Sequence, residues 1–485
     1  MNFVERKDEM AILENAYNSQ SSSFVAVYGR RRIGKTELIN QFFHQKDSFL
    51  FSLTGAYDAT LEAHLDNFKD KIDSAFSVNS ALDIKSWSEA FRLLRDEIKR
   101  MKLKEGSKVS IFIDELPWLA KVKGDGFKSA LSLFWNDFAS KRDDIMLVVC
   151  GSATSWIIDH IIEDRGSLAN RVTAIIHLQS FTLKESHSFL LAHGYKNIST
   201  KDLAEYYMVF GGVAHYLSLL NPKKSFIQNI QNIFFSQHGL LRTEYHRLFR
   251  SLFDNYHIHE TIINKLVKSW SGMSVSELKK SKKLSSSSAL NVALKELEVS
   301  GFIAKHFKYG QKKRDTLYRV KDPFLFFFSK WVEGTSLSEI FQNKKYFMAL
   351  YQSQKYKIWL GYAFENLCHN HIVELKETLG IGAVHTTSHY WRYVPKDETE
   401  QGTQIDLLLV RADGVINIIE CKYSNSEFII DKKYAKNLEN KVSVFVKQSK
   451  YPHTVTVVML TLNGVKSNEY ADYLISDEIL LGALI

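Results

Sequence analysis

The stretch YGRRRIGKTELI, Tyr28–Ile39, decides the fold of the first half of the chain. Its centre, Gly29-Arg30-Arg31-Arg32-Ile33-Gly34-Lys35-Thr36, reads GxxxxGK[ST]. It follows the apolar run Phe24–Tyr28 and opens an amphipathic segment, so the expected order is strand, tight turn, helix. The chemistry of such a loop is specific. The glycines let backbone N–H groups turn in around a β-phosphate, and the helix N-terminus adds a favourable dipole. Lys35 sets a cation on the β- and γ-phosphates, and Thr36 offers its hydroxyl to Mg²⁺. ATP with Mg²⁺ is therefore the expected ligand, bound by residues 29–36.

Working outward, VSIFIDELPWL (Val109–Leu119) is an apolar strand ending in two carboxylates. Asp114 is expected to hold Mg²⁺, directly or through water, and Glu115 to polarise the attacking water. MLVVCGSATSW (Met146–Trp156) ends another strand in polar residues. There Ser152 or Thr154 either senses the γ-phosphate or caps a helix. In EDRGSLANRVTAIIHL (Glu163–Leu178), Arg171, and after it Arg165, is placed to reach a γ-phosphate as an arginine finger, in cis or from a neighbouring subunit. An oligomer is thus among the expectations, and surface ion pairing is the alternative role. Strands are expected at Phe24–Tyr28, Phe49–Leu53, Val109–Asp114, Met146–Cys150 and Thr173–Leu178, with helical patterns between them. That alternation specifies an α/β fold with a parallel sheet.

The 485 residues, 45% apolar and 24% charged, suit a chain of several globular domains. No apolar run approaches the ~20 residues of a membrane span, so no membrane partner is expected. The start MNFVERKDEM lacks the apolar segment of a secretory signal. Cys150, Cys368 and Cys421 are too few and scattered for a disulfide framework or a cysteine-based zinc site, which fits a reduced, cytoplasmic protein. A net charge of +9 permits nucleic-acid binding without establishing it.

Four domains are expected: a P-loop ATPase core at 1–183, a helical lid at 184–239, a winged helix with connector at 240–340, and a second α/β domain at 341–485. In the third, SVSELKKSKKL and SSSSALNVALKELEVSGFI read as two cap-rich helices, and AKHFKYGQKKRDTLYRV as a two-stranded wing. Lys279, Lys280, Lys282 and Lys283 precede the second helix, while Lys305, Lys308, Lys312, Lys313 and Arg314 decorate the wing. Such cations suit weakly specific contact with DNA or RNA phosphates, or simple solubility on an interdomain lever. The aromatic run DPFLFFFSKWVEG packs between domains or opens a helix. In the last domain a helix is expected from Tyr356 to about Leu379. His369 and His371, like His257 and His259, read as packing or surface residues.

A second site is legible in QIDLLLVRADGVINIIECKYS, Gln404–Ser424. A hairpin turning at Ala412–Gly414 brings Asp406 towards Glu420, and strand alternation sets Glu420 and Lys422 on one face. Two carboxylates and a lysine can hold Mg²⁺ or Mn²⁺ and activate a water. A hairpin ion pair is the simpler explanation. Asp406, Glu420 and Lys422 form the D…ExK pattern of the PD-(D/E)xK nucleases, and WLGYAFENLCHNHI supplies Glu365 as the helix glutamate those enzymes often add.

YGRRRIGKTEL, FIDELPWL, VVCGSATSW, NRVTAIIHLQSFTLKE and FGGVAHYL, in that order, together resemble the archaeal and bacterial AAA+/STAND-type ATPases called the archaeal ATPase family. The family often has Gly-Arg where this chain has Asn170-Arg171, and Gly-Gly-Ile-Pro where it has Gly211-Gly212-Val213-Ala214. The downstream order of helix glutamate, Asp, Glu-x-Lys, preceded by YRVKDPFLFFFSKWV, is similar to the domain of unknown function that accompanies such ATPases. The resemblance implies a restriction-endonuclease-like last domain. Two functions follow. ATP binding controls a nucleic-acid-interacting winged helix and a metal-dependent nuclease-like domain, or the chain is a regulatory ATPase switch that binds protein or DNA, with an inactive last domain. A small-molecule kinase would leave the second half without a task.

Overall fold

A computed structural model describes residues 3–46, 48–79, 83–104, 106–121, 126–269, 271–310, 316–343, 345–395, 402–449 and 454–485, without the side chains of Phe341 and Asp406. Lys312, Lys313 and Arg314 of the expected wing lie outside these residues. The chain divides into two compact units. The first comprises Phe3–Ser180 with Arg250–Asp254, and the second Phe181–Phe249 with Asn255–Ile485.

The first unit is built on strands β1 (Ser23–Tyr28), β2 (Phe49–Thr54), β3 (Val109–Asp114), β4 (Ile145–Gly151) and β5 (Ala174–His177). They form one parallel sheet in the order β2-β3-β4-β1-β5. The expected strands agree with these to within a residue or two. Every residue of β3 and β4 is buried, which is why both read as unbroken apolar runs rather than as alternating ones. Because the strands are parallel, the ends of β1, β3 and β4 open onto a single edge of the sheet. That edge is where ligands bind in open α/β sheets.

In the second unit, Thr182 and Glu185 form a capping box that opens the helix Leu183–Ala192. Ser199 caps the next helix, Thr200–Phe210. Helices Tyr256–Leu266, Val275–Lys279 and Ser287–Val299 follow, and then the antiparallel pair β6 (Ile303–His306) and β7 (Leu317–Val320). Ser274 and Ser286 cap the second and third of these helices, as their serine-rich starts suggested. The aromatic run opens a helix: the Asp322 carboxylate caps Pro323–Phe327, accepting from Leu325 N at 2.7 Å. Its rings are core. Phe324 packs on Tyr216 with centroids 4.7 Å apart, and Phe327 on Phe234 at 5.1 Å.

The last sheet runs β12-β11-β10-β9-β8, from strands β8 (Thr386–Tyr393), β9 (Thr403–Arg411), β10 (Val415–Lys422), β11 (Thr454–Thr461) and β12 (Asp477–Leu480). β8, β9 and β10 are antiparallel neighbours, and β10, β11 and β12 are parallel. The helix Lys432–Ser449 makes the crossover that a parallel β10–β11 pair requires. The helix expected from Tyr356 to Leu379 is two helices, Gln354–Asn370 and Ile372–Thr378. They break at His371, a fully buried residue. Its Nδ1 donates back to Leu367 O at 2.8 Å, and its Nε2 accepts from Leu183 N at 2.8 Å. The break thus gives an orphan N–H at the start of helix Leu183–Ala192 a partner.

Candidate functional site

The loop Gly29–Gly34 joins β1 to the helix Lys35–His44. Gly29 has φ 147°, and a Cβ there would stand 2.3 Å from the carbonyl oxygen of Leu178. Gly34 begins the helix at φ 97°, in the left-handed region that only glycine enters freely. Ile33 is buried beneath the loop. The Lys35 ammonium is buried too, donating to the carbonyls of Gly29 at 2.9 Å and Arg30 at 2.8 Å. Burial lowers its pKa, while Cys150, Glu115 and Asp114 act in the other direction.

The Thr36 hydroxyl donates to Asp114 Oδ2 at 2.7 Å, so the loop and the end of β3 meet across the sheet. The other oxygen of Asp114 accepts from Glu115 N at 2.9 Å. Glu115 sits at φ 46°, and its carboxylate accepts from the Ser152 hydroxyl at 2.9 and 2.8 Å and from Ser152 N at 3.2 Å. Ser152, from the end of β4, is therefore a partner of Glu115. Thr154 is buried nearby in the chain, and its hydroxyl has no hydrogen-bond partner. Among the loop arginines, Arg30 is buried, Arg31 lies 5.9 Å from the Trp118 ring centroid in a cation–π arrangement, and Arg32 has φ 72°. Arg165 and Arg171 are exposed.

The second constellation lies on β10. Glu420 and Lys422 do share a face, with Lys422 Nζ 3.6 Å from Glu420 Oε2. The β9–β10 register pairs Leu407 with Ile419, which carries backbone position 406 one step on, towards 420. The Asp406 side chain lies outside the described residues. Glu420 is buried and strongly engaged. Lys441 forms an ion pair with Oε1, and Tyr434 donates to Oε2 at 2.9 Å, both from the crossover helix. Burial raises the Glu420 pKa, but Lys441, Lys422 and Tyr434 more than offset it, and the net shift is downward. Glu365 is half-buried on helix Gln354–Asn370, and its charge is felt at Cys421 and Tyr434. Among the described residues, no three His, Cys, Asp or Glu side chains converge as metal ligands.

Residues 3–220 match the model of a family described as an ATPase domain predominantly from Archaea. A second family model, described as Archaea bacterial proteins of unknown function, matches residues 331–438. An uncharacterized protein of Methanocaldococcus jannaschii is 23% identical over 379 residues, 77% of this chain and 78% of its own. An uncharacterized ATP-binding protein of the same organism is 46% identical over 44 residues, 9% of this chain and 75% of its own. The Walker-type ATPase PABY2304 of Pyrococcus abyssi has a similar fold, with TM-score 0.50 and 18% identity over 68% of this chain and 96% of its own. No helix among the described residues is long and apolar enough to cross a membrane.

Several neighbours at these sites escaped the sequence reading. Within residues 3–220, nothing in the spacing links Ser152 to Glu115 or Arg31 to Trp118. Lys441 and Tyr434 lie on the helix Lys432–Ser449, whose charged face looks like ordinary solvated surface. Cys368 and Cys421, distant in sequence, place their thiols within hydrogen-bonding reach. All three cysteines are free.

Proposed function

We propose that the chain is a Mg²⁺-dependent ATPase whose nucleotide state governs its second unit. The observation that carries this reading is the 2.7 Å contact between Thr36 and Asp114. It sets a loop hydroxyl and a strand-end carboxylate side by side, the pair of oxygen ligands that a triphosphate-bound Mg²⁺ takes in P-loop enzymes. The residues present fit ATP and Mg²⁺. The N–H groups of residues 29–34 would cradle the phosphates, and Lys35 would exchange its two carbonyl partners for phosphate oxygens. Glu115 would orient the attacking water, with Ser152 holding the carboxylate in place. Mg²⁺ would supply charge neutralisation between the β- and γ-phosphates. Arg171 is the residue proposed to reach the γ-phosphate, and its exposure suits a finger offered to a neighbouring subunit. ATP hydrolysis with Mg²⁺ tests the reading: Lys35→Ala must lose nucleotide binding, and normal binding by that variant would sink it.

Beyond residue 183 we propose a lid at 184–239, a winged helix with connector at 240–340 that contacts DNA or RNA, and a PD-(D/E)xK-like domain at 341–485. Support comes from the helix-helix-wing order and from the mixed sheet whose adjoining strands carry Asp406, Glu420 and Lys422. Glu365 would complete a Mg²⁺ or Mn²⁺ site. A specific observation favours a second reading, a regulatory switch with an inactive last domain. Glu420 already satisfies its charge with Lys441 and Tyr434, so a metal would have to displace them. Incubation with DNA and RNA, ATP and Mg²⁺ or Mn²⁺ separates the two. Cleavage that Lys422→Ala abolishes supports a nuclease. No cleavage, or cleavage unchanged in Lys422→Ala, leaves the switch.

A further inference from the structure

The helix Ser287–Val299 has two unlike sides. Leu290, Ala293, Leu294 and Leu297 are buried on one. Ser288, Asn291, Val292 and Lys295 are exposed on the other, Val292 at 54%. Their spacing of three and four residues makes them neighbours along one stripe. The inner side is anchored: Glu296 Oε2 lies 2.8 Å from His259 Nε2, on the helix Tyr256–Leu266. Helix Val275–Lys279 and the tight turn Lys282–Leu284 lead into it. Met273, between the first two of these helices, exchanges backbone hydrogen bonds with Tyr318 of β7 at 2.9 and 2.8 Å. Residues 278–295 carry five lysines and no acid. Lys280, Lys282 and Lys283 are exposed. The flanking acids are engaged. The Glu277 carboxylate accepts from Ser274 N at 2.7 Å, Glu296 faces His259, and Glu298 pairs with Lys305 at 2.5 Å.

A stripe of small polar groups, one amide and one methyl-bearing side chain, approached through lysines, suits a groove walled by phosphates. A protein partner would need a larger apolar centre than Val292 alone provides. Building on the winged-helix reading above, we propose that helix Ser287–Val299 enters the major groove of duplex DNA and reads an A·T-containing step. The Asn291 amide offers an acceptor and a donor side by side, the complement of adenine N6 and N7. Val292, the next residue, packs on a thymine methyl. Lys282 and Lys283 contact backbone phosphates and set the register without choosing bases. The groove width selects DNA over RNA, because the deep, narrow major groove of A-form RNA does not admit a helix.

The test uses the full chain carrying Lys422→Ala, so that no cleavage intervenes, both with and without ATP and Mg²⁺. Sites are selected from a random DNA duplex pool. Fluorescence anisotropy then compares them with a G·C-only DNA duplex and an RNA duplex. We expect the selected sites to share an A·T pair. Asn291→Ala should weaken them about tenfold, the scale of one bidentate base contact, and leave the G·C duplex unchanged. Val292→Ala should give a smaller loss confined to sites with the thymine. Replacing Lys282 and Lys283 together by alanine should weaken every duplex alike and lower the salt slope by about two. Binding with no shared base, or a preference that Asn291→Ala and Val292→Ala both leave intact, overturns the base contacts and leaves the winged-helix reading standing. Absence of duplex binding in both conditions overturns the two together. An RNA duplex bound as tightly as the selected DNA overturns the choice of DNA. Asn291 and Val292 are exposed, so their substitution leaves the packed side of the helix untouched.

Discussion

At the scale of single residues, the proposed nucleotide site separates binding from chemistry. Lys35 touches the loop, whereas Glu115 touches Ser152 and lies one residue beyond Asp114. Glu115→Gln should therefore keep ATP affinity while slowing turnover by about a hundredfold or more, as loss of a water-activating carboxylate does. Nucleotide titration beside steady-state hydrolysis checks the split, and equal loss of both would remove Glu115 from the chemical step. Gly29 tests the loop itself. An alanine there meets the Leu178 carbonyl and adopts a backbone conformation that costs an L-residue roughly 2 kcal/mol or more. Gly29→Ala should lower the urea midpoint and weaken ATP binding together, whereas Gly34→Ala, whose Cβ meets nothing within 4 Å, should be milder in packing and strained only in φ.

At the scale of elements, the crossover helix Lys432–Ser449 is what completes β10. Lys441 and Glu420 are 15% and 6% exposed, so removing the lysine strands a buried carboxylate. Lys441→Met should cost about 3 kcal/mol in urea unfolding, with Lys422 retaining part of the compensation. A loss near zero would show that Glu420 takes up a proton at no cost. Legibility from sequence follows the same physics. The parallel strands were readable because burial on both faces leaves an apolar signature, and the loop because its glycines and lysine sit at fixed spacing. The pairing of Glu420 with Lys422 was readable from strand alternation. Lys441 was not, because an inward-facing lysine on a charged helix has the same spacing as an outward-facing one. The break at His371 was not either, because the residue that requires it, Leu183, belongs to a distant helix.

At the scale of the molecule, two buried carboxyls give pH dependences of opposite sign. Glu420 is held below the usual carboxylate range, so its stabilising contribution is present above that range and is lost as pH falls through its folded value. Glu205, on helix Thr200–Phe210, is raised by burial, with Tyr423, Tyr351 and Lys201 opposing. The folded state holds that proton more tightly than the unfolded chain. Its contribution is complete below the usual range and fades as pH rises through the folded value. Glu205→Gln, which retains hydrogen-bonding capacity, should remove that fading. In urea melts from the acid range towards neutrality, the stability of wild type should fall relative to the variant, and parallel curves would refute the assignment.

The partners of Glu205 have a mechanical consequence. Its carboxyl accepts from Tyr351 at 2.8 Å and from Tyr423 at 2.5 Å, and Tyr423 is the residue that follows Lys422. The end of β10 is thus pinned to a helix more than two hundred positions earlier in the chain. A rotation of that helix would strain the Tyr423 hydrogen bond, which ties it to the residue beside Lys422.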